Sequence, residues 1–280
     1  MTSPKLPNDI TDTVRRALAE DVGSGDLTAS LVPDTATRAE LVTREDAVLC
    51  GSAWVDDVFR QLDTRVRITW LKHDGERIAA TSVIARLEGP ARALLTGERC
   101  ALNFLQTLSG TATLVARYVD ALRGTHATLL DTRKTIPGLR RAQKYAVTCG
   151  GGQNHRLGLY DAVLIKENHI AAAGSVAAAL AHARTAVTAA IPVEIEVENL
   201  DQLREALSAG ATRLLLDNFD LAQLAAAVRE TAGRAALEAS GGMTLDNIRA
   251  IAETGVDFIS VGSLTKHLRA IDLSLRFLPH

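Results

Sequence analysis

Apolar positions change their spacing near the middle of the chain. Over residues 9–20, Ile10, Val14, Ala17 and Leu18 recur at helical intervals and predict an amphipathic helix. The acidic stretch 20–28 then brings two glycines among three acids; it lacks the ligand spacing of an EF-hand and reads as a turn. Residues 38–87 shorten to β-prone runs at 39–43, 65–70 and 82–87, whose partial alternation suits a sheet with one wetter face. A helical set, Trp54, Val55, Val58, Phe59 and Leu62, separates the first two runs. A mainly helical segment follows over 93–122, with Ser109-Gly110 expected to break it.

From residue 127 onward the rhythm becomes strand, polar tip, helix. Strand candidates fall at 128–130, 162–165, 193–197, 213–216, 236–239 and 258–261. Asn199 stands where a helix cap belongs, ahead of Leu200, Leu203, Ala206 and Leu207. Asp220 with Gln223 resembles a capping box, and another helix begins over 244–248. Strands alternating with helices of this length make a parallel sheet, because each crossover returns the chain to the same end. The expected fold is α/β, with an N-terminal α+β, sandwich-like domain over 1–105, a parallel α/β barrel over 106–268 and a tail over 269–280.

The C-terminal tips of these strands carry most of the candidate chemistry. In order they are Asp131-Thr132-Arg133-Lys134, Lys166-Glu167-Asn168-His169, Glu196 with Glu198, Asp217-Asn218, Ser240-Gly241-Gly242 and Gly262-Ser263. A helix cap or loop charge explains any one tip, but not six together. A parallel barrel gathers all its tips on one face, whereas a doubly wound sheet collects ligands only near its switch point, so a barrel is favoured.

Cations come first along the row: Arg133, Lys134, the loop residues His155 and Arg156, then Lys166. Carboxylates Glu196 and Asp217 follow, and glycines and hydroxyls come last. Arginine forks suit carboxylate or phosphate, while glycine tips ahead of helix N-termini present N–H groups to phosphate. The row predicts a ligand with carboxylates at one end, hydroxyls or a cationic centre in the middle, and phosphate at the other. Glu196 and Asp217 are placed to hold ribose hydroxyls, directly or through Mg²⁺.

Composition narrows the partners. With 280 residues and 47% apolar content the chain is expected to be globular and soluble. Lys+Arg 31 against Asp+Glu 33 gives a net charge of -2, so no global basic field attracts nucleic acid or anionic lipid. Cys50, Cys100 and Cys149 are scattered, without the spacing of a zinc finger or a disulfide framework, which points to a reducing cytoplasm. Residues 1–9 lack the apolar core of a signal peptide, and no uncharged apolar run reaches membrane-spanning length.

Taken together, the motifs resemble those of the quinolinate phosphoribosyltransferases over nearly the whole chain. The similarity lies in the turn 20–28, Glu98-Arg99-Cys100 and the helix after it, Asp131 through Arg140, Gly150-Gly151-Gly152 with His155-Arg156, Leu164-Ile165-Lys166, Glu194 through Glu198, Leu216-Asp217-Asn218 and Ser240-Gly241-Gly242. The resemblance implies an incomplete barrel of about six strands, a tail returning to the first domain, and a homodimer in which Arg99 completes the neighbour's site. It implies phosphoribosyl transfer from phosphoribosyl pyrophosphate to quinolinate with Mg²⁺, giving nicotinate mononucleotide, pyrophosphate and CO₂ in NAD biosynthesis.

By the same resemblance Lys134, Glu196 and Asp217 are catalytic. Thr132, Arg133, His155, Arg156 and Lys166, with Arg99, bind quinolinate. Ser240, Gly241, Gly242, Gly262, Ser263 and His267 take the 5′-phosphate, and Glu196 and Asp217 serve the metal, directly or through water or ribose. Glu167 stands where the family pattern leads one to expect aspartate, and Cys100 is unusual after Glu-Arg. Two other classes compete: a barrel aldolase with a Schiff-base lysine at Lys134 or Lys166, and a non-catalytic phosphometabolite-binding relative. A nearer rival is a transferase that takes nicotinate.

Overall fold

The structure, a computed structural model, describes residues 5–279. Met1–Pro4 and His280, which belong to the terminal segments read above, lie outside the described residues. Two compact units emerge: one gathers the chain up to Ala116, Thr135–Gly151 and the stretch from Leu264, and the other holds Arg117–Lys134 and Gly152–Ser263. Among the described residues no helix is long and apolar enough to cross a membrane.

The first unit begins with α1 (Ile10–Val22), β1 (Ala36–Thr43), β2 (Ala47–Val48), α2 (Ser52–Leu62), β3 (Arg67–Trp70), β4 (Arg77–Ile78), β5 (Val83–Pro90) and α3 (Ala91–Ala121). β5 lies between β1 and β3 in an antiparallel sheet, and the chain's last strand, Leu273–Phe277, pairs with the far side of β1. Alternation along β1 leaves Arg38 exposed and buries Ala39 and Leu41. Those side chains meet Trp54 and Phe59 of α2 and Leu94, Leu105 and Leu108 of α3 in one core. Each large apolar side chain buried there contributes roughly 1.5–3 kcal/mol. The start of α2 is capped from a distance: Asp74 accepts from the Gly51 and Ser52 N–H groups at 3.0 and 3.1 Å.

Ser109-Gly110 does not break the long helix, contrary to expectation; α3 runs through it. The pair is there for close packing. Ser109 Oγ accepts from Cys50 N at 3.0 Å and donates to Cys50 O at 3.1 Å, and a Cβ on Gly110 would fall 2.3 Å from the Arg269 carbonyl oxygen. A small, back-bonded pair inside a helix carries the same sequence signal as a terminator.

Further along come β6 (Thr128–Leu130), α4 (Arg140–Cys149), β7 (Val163–Ile165), α5 (Glu167–Ala173), α6 (Val176–Ala186), β8 (Val193–Val197), α7 (Leu200–Ser208), β9 (Arg213–Asp217), α8 (Leu221–Thr231), β10 (Ala236–Ser240), α9 (Ile248–Glu253), β11 (Phe258–Ser260), α10 (Ser263–Lys266) and β12 (Leu273–Phe277). Asn199 caps α7 through the Gln202 N–H, and Asp220 with Gln223 forms the capping box of α8.

In the second unit all six strands are parallel, in the order β6-β11-β10-β9-β8-β7. The first strand thus sits beside the last, as in a barrel, and a seam remains between β6 and β7. Gln153 occupies that seam as an extra rung, donating to Leu129 O at 2.9 Å and accepting from Asp131 N at 3.1 Å. Ile195, Leu214, Leu216, Leu237 and Ala239 are buried. The two-residue period turns Glu194, Glu196, Leu215, Asp217, Glu238 and Ser240 to the opposite, inner face.

Candidate active site

The strand tips of the second unit surround a cavity of about 580 Å³. Its walls include Thr132, Arg133 and Lys134 after β6, His155 and Arg156 from the seam loop, and Lys166 after β7. Glu196, Asp217 and Ser240-Gly241-Gly242 follow from β8, β9 and β10. The linear row of the sequence is therefore a ring, in which the early cations close onto the late glycines. A Cβ on Gly262 would lie 2.8 Å from Lys134 Cδ, so the lysine stem runs directly over that glycine. Thr132 Oγ1 accepts from the Lys134 N–H at 3.1 Å and fixes the turn that aims it.

Cations and carboxylates are already matched where they face each other. Lys166 Nζ lies 2.8 Å from Glu196 Oε2, and Asp217 Oδ2 accepts from Asn218 Nδ2 at 2.8 Å. Arg156 donates to Ala162 O at 3.2 Å. Burial first, and then the charge of nearby Arg133, pull its pKa below the ordinary guanidinium range. Two guanidiniums that repel one another at one end of a cavity suit a ligand bearing more than one negative charge.

The glycine tip after β10 is held by contact. Asn218 has φ 56°, Gly241 φ 96°, and a Cβ on Gly241 would fall 2.1 Å from Asn218 Oδ1 and 3.0 Å from Asn218 N. Gly241→Ala must therefore displace the amide that bonds Asp217 while adopting a strained backbone. Overpacking and left-handed strain together are expected to remove about 2–4 kcal/mol of stability in urea unfolding.

Below the tips lies a charged layer that sequence reading missed. Glu194 and Glu238, both buried, share Arg213, with Nε 2.9 Å from Glu194 Oε1 and Nη2 2.7 Å from Glu238 Oε2; the guanidinium also rests 4.3 Å from the centre of the Phe258 ring. His155 Nε2 is 2.8 Å from Glu194 Oε2 and 3.6 Å from Glu238 Oε2. Burial opposes ionisation of Glu194, but the His155 bond and Arg213 outweigh it and hold the carboxyl below its ordinary range. Burial, then Glu194, pushes Glu238 up.

His155 thus reaches the cavity wall with its ring engaged elsewhere. The Arg156 N–H donates to Nδ1 at 2.7 Å, which leaves Nε2 as the protonated nitrogen facing Glu194. Burial works against the imidazolium; the Glu194 bond and both carboxylates outweigh it and raise the pKa. The amide at Nδ1 opposes a second proton, and we read this conformer as the neutral Nε2–H tautomer. Both ring nitrogens hold the 155–156 turn, and buried Asp131 adds to it by accepting from the His155 N–H at 2.9 Å. Charged residues within otherwise apolar strands, two apart at Glu194 and Glu196, were the sequence signal for this layer.

The remaining expected residues are not among those that line the cavity. Ser263 follows Gly262, and its buried Oγ has no hydrogen-bond partner among the described residues. Arg99 is exposed on α3 and His267 is exposed beyond α10; both belong to the first unit. Arg141 bonds Asn8 Oδ1 at 3.0 Å and Arg140 bonds Thr135 Oγ1 at 3.1 Å, all within that unit.

Comparison with known proteins agrees over both units. Residues 26–109 match the model of the quinolinate phosphoribosyl transferase N-terminal domain, and residues 111–276 match that of its C-terminal domain. A nicotinate-nucleotide pyrophosphorylase [carboxylating] of Mycobacterium leprae (strain TN) is 44% identical over 275 residues, 94% of this chain and 95% of that protein. A probable nicotinate-nucleotide pyrophosphorylase [carboxylating] of Bacillus subtilis (strain 168) is 43% identical over 257 residues, 91% of this chain and 89% of that protein. The solved nicotinate-nucleotide pyrophosphorylase of Francisella tularensis superposes with a TM-score of 0.94 at 49% identity, covering 99% of both chains. The open barrel with its ring of charged tips and the α+β unit that accompanies it are those of the quinolinate phosphoribosyltransferase family, to which this chain belongs.

Proposed function

We infer that the chain transfers the phosphoribosyl group of phosphoribosyl pyrophosphate to the ring nitrogen of quinolinate. Pyrophosphate and CO₂ leave, and nicotinate mononucleotide remains. The observation that carries this reading is the paired guanidiniums of Arg133 and Arg156 in a cavity whose other strand tips include Glu196, Asp217 and the glycine turn Gly241-Gly242. A dicarboxylate answers the two arginines better than nicotinate, which has a single carboxylate.

Each residue then has a task. Arg133 and Arg156, with Lys166, hold the two carboxylates, Thr132 orders the Lys134 turn, and His155 positions Arg156 through its backbone. Lys134 places positive charge where the departing pyrophosphate gathers negative charge. Glu196 and Asp217 flank the ribose, where their charge stabilises the cation that forms at the anomeric carbon as its bond to pyrophosphate breaks. Ser240, Gly241, Gly242, Gly262 and Ser263 surround the 5′-phosphate, and the buried Ser263 hydroxyl fits that role. The quinolinate nitrogen captures the cation. When the adjacent carboxylate leaves as CO₂ its bonding pair stays on that ring carbon, stabilised by the positive nitrogen beside it, and the carbon then uses that pair to accept a proton.

The donor set also suits Mg²⁺. Glu196 and Asp217 are hard oxygen ligands on adjacent strands, each with one oxygen already oriented, by Lys166 and Asn218. Such a pair holds Mg²⁺ together with substrate oxygens. Bound there, the ion would supply charge neutralisation to the pyrophosphate.

The deciding assay combines the protein with quinolinate, phosphoribosyl pyrophosphate and Mg²⁺ and detects nicotinate mononucleotide with stoichiometric CO₂; faster turnover of nicotinate would overturn the substrate assignment. Glu196→Gln is expected to lower kcat by about a hundredfold with little change in either KM, since its charge matters most as the ribose cation forms. For the exposed Arg99 we infer a role across a homodimer. Mixing Arg99→Ala with Lys134→Ala subunits should restore part of the activity, and verified heterodimers without recovery would remove that role. An aldolase is disfavoured at Lys166, whose Nζ is engaged by Glu196 Oε2 at 2.8 Å.

A further inference from the structure

Far apart in sequence, Cys50, Asp74 and Cys149 meet inside the first unit. Their ligand atoms, two Sγ and a carboxylate oxygen, all lie within 4.8 Å of one another. Both cysteines are buried. None of the three takes part in the proposed reaction.

Each member is held by rigid backbone. Cys50 is bonded through both its N–H and its C=O to Ser109 on α3. Cys149 is the last residue of α4. Asp74 is fixed by the two N–H groups at the start of α2 and by the Tyr145 hydroxyl, which donates to Oδ2 at 2.9 Å. Three potential ligands are thus placed before any ion arrives, with a hydrogen-bonded phenol behind the carboxylate, as metal-ligating carboxylates commonly have.

The chemistry of the trio favours a cation over thiol redox exchange. Exchange begins with a thiolate, and a neighbouring carboxylate works against one. A divalent cation reverses this balance, because its charge favours both thiolates and offsets the carboxylate. The C-terminal end of α4, where Cys149 sits, carries the negative end of a helix dipole and adds to the attraction. Two sulfurs with one oxygen select a soft or borderline ion over Mg²⁺.

The geometry points to a binding site for one Zn²⁺-class ion, held by Cys50 Sγ, Cys149 Sγ and an Asp74 carboxylate oxygen, that ties the start of α2 to the end of α4. It is separate from the Mg²⁺ chemistry of Glu196 and Asp217. Two thiols lose their protons to solvent as the two metal–sulfur bonds form, and no electrons are exchanged.

The test uses the full chain, reduced and stripped with a chelator, then titrated with Cd²⁺ in excess Mg²⁺ while the ultraviolet thiolate-to-cadmium charge-transfer band is followed. The expected result is a band saturating at one ion per chain. Cys50→Ala and Cys149→Ser should each abolish it, and Cys100→Ala should leave it unchanged. Tyr145→Phe should weaken binding by about tenfold or more, since it removes the group behind the carboxylate. X-ray absorption of the Zn²⁺-loaded wild-type chain, which needs no variant to fold, should give two sulfur neighbours at about 2.3 Å. No band in the wild type, a band that survives Cys149→Ser in folded protein, or an all-oxygen and nitrogen zinc shell would each overturn the site.

Discussion

Arg133→Ala is expected to lower kcat/KM for quinolinate by on the order of a hundredfold to ten-thousandfold, and to change KM for phosphoribosyl pyrophosphate far less. The side chain lines the cavity close enough to Arg156 for the two charges to act on one another. A planar guanidinium meets a carboxylate through two charge-assisted hydrogen bonds, each contributing about 1.5–3 kcal/mol, and tenfold in rate corresponds to about 1.4 kcal/mol. Losing both bonds therefore falls in the stated range. Arg156 offsets little of it, because one fork cannot satisfy two carboxylates. Arg133→Lys keeps the charge but loses the fork, and should recover only part of the activity. Steady-state kinetics with each substrate varied in turn checks this, together with calorimetric titration of quinolinate. An effect concentrated on phosphoribosyl pyrophosphate would reassign Arg133 to the leaving group.

The second large effect is on stability. Arg213 is the cation shared by Glu194 and Glu238, whose side chains are only 5% and 0% exposed. Arg213→Met leaves both carboxylates buried with His155 as the remaining donor on Glu194, and removing one partner of a buried ionic group costs about 3–5 kcal/mol. An uncompensated buried carboxyl has a folded pKa raised above its unfolded value, so stability is lost as pH rises through that raised value. The deficit should accordingly narrow as pH falls. Adding Glu238→Gln to Arg213→Met removes one of the stranded charges and should restore part of the loss. Urea unfolding at several pH values separates these outcomes; a deficit independent of pH, or no recovery in the double variant, would show that Arg213 acts through packing on Phe258 instead.

The six parallel strands and most helices were legible because period and capping act locally, whereas the short β2 and β4 and the closing β12 were not read as strands. Six apolar runs with polar tips marked the parallel strands, and Asn199 and Asp220 cap the helices their positions predicted. The cavity members were legible for the same reason, since a strand's C-terminal residue is set by where its apolar run ends. What could not be read was lateral order. Nothing local says that β6 lies beside β11, so Lys134 and Gly262 stood at opposite ends of the row although their atoms touch. The same gap hid the Glu194, Arg213 and Glu238 layer, which exists only once β8, β9 and β10 are in register. Ser109-Gly110 misled because close helix packing and helix termination use the same residues. That His155 Nε2 lies against Glu194 and Glu238 could not be read either, because a residue's position in the chain does not tell which way its ring faces.

The lateral order also has a consequence for synthesis. Both units close on strands made late: β11 against β6 in one, and β12 against β1 in the other, with Ala39 opposite Phe277. Contacts of such long sequence separation are slow to form, because the intervening chain must first be ordered. A nascent chain that has emerged only through β10 already displays Arg133, Arg156, Glu196 and Asp217, yet has neither Gly262 under Lys134 nor the last edge of the first sheet. Termination between β10 and β11 is therefore expected to leave β1, β6 and β10 each without a strand partner that the full chain supplies, and such open edges favour aggregation.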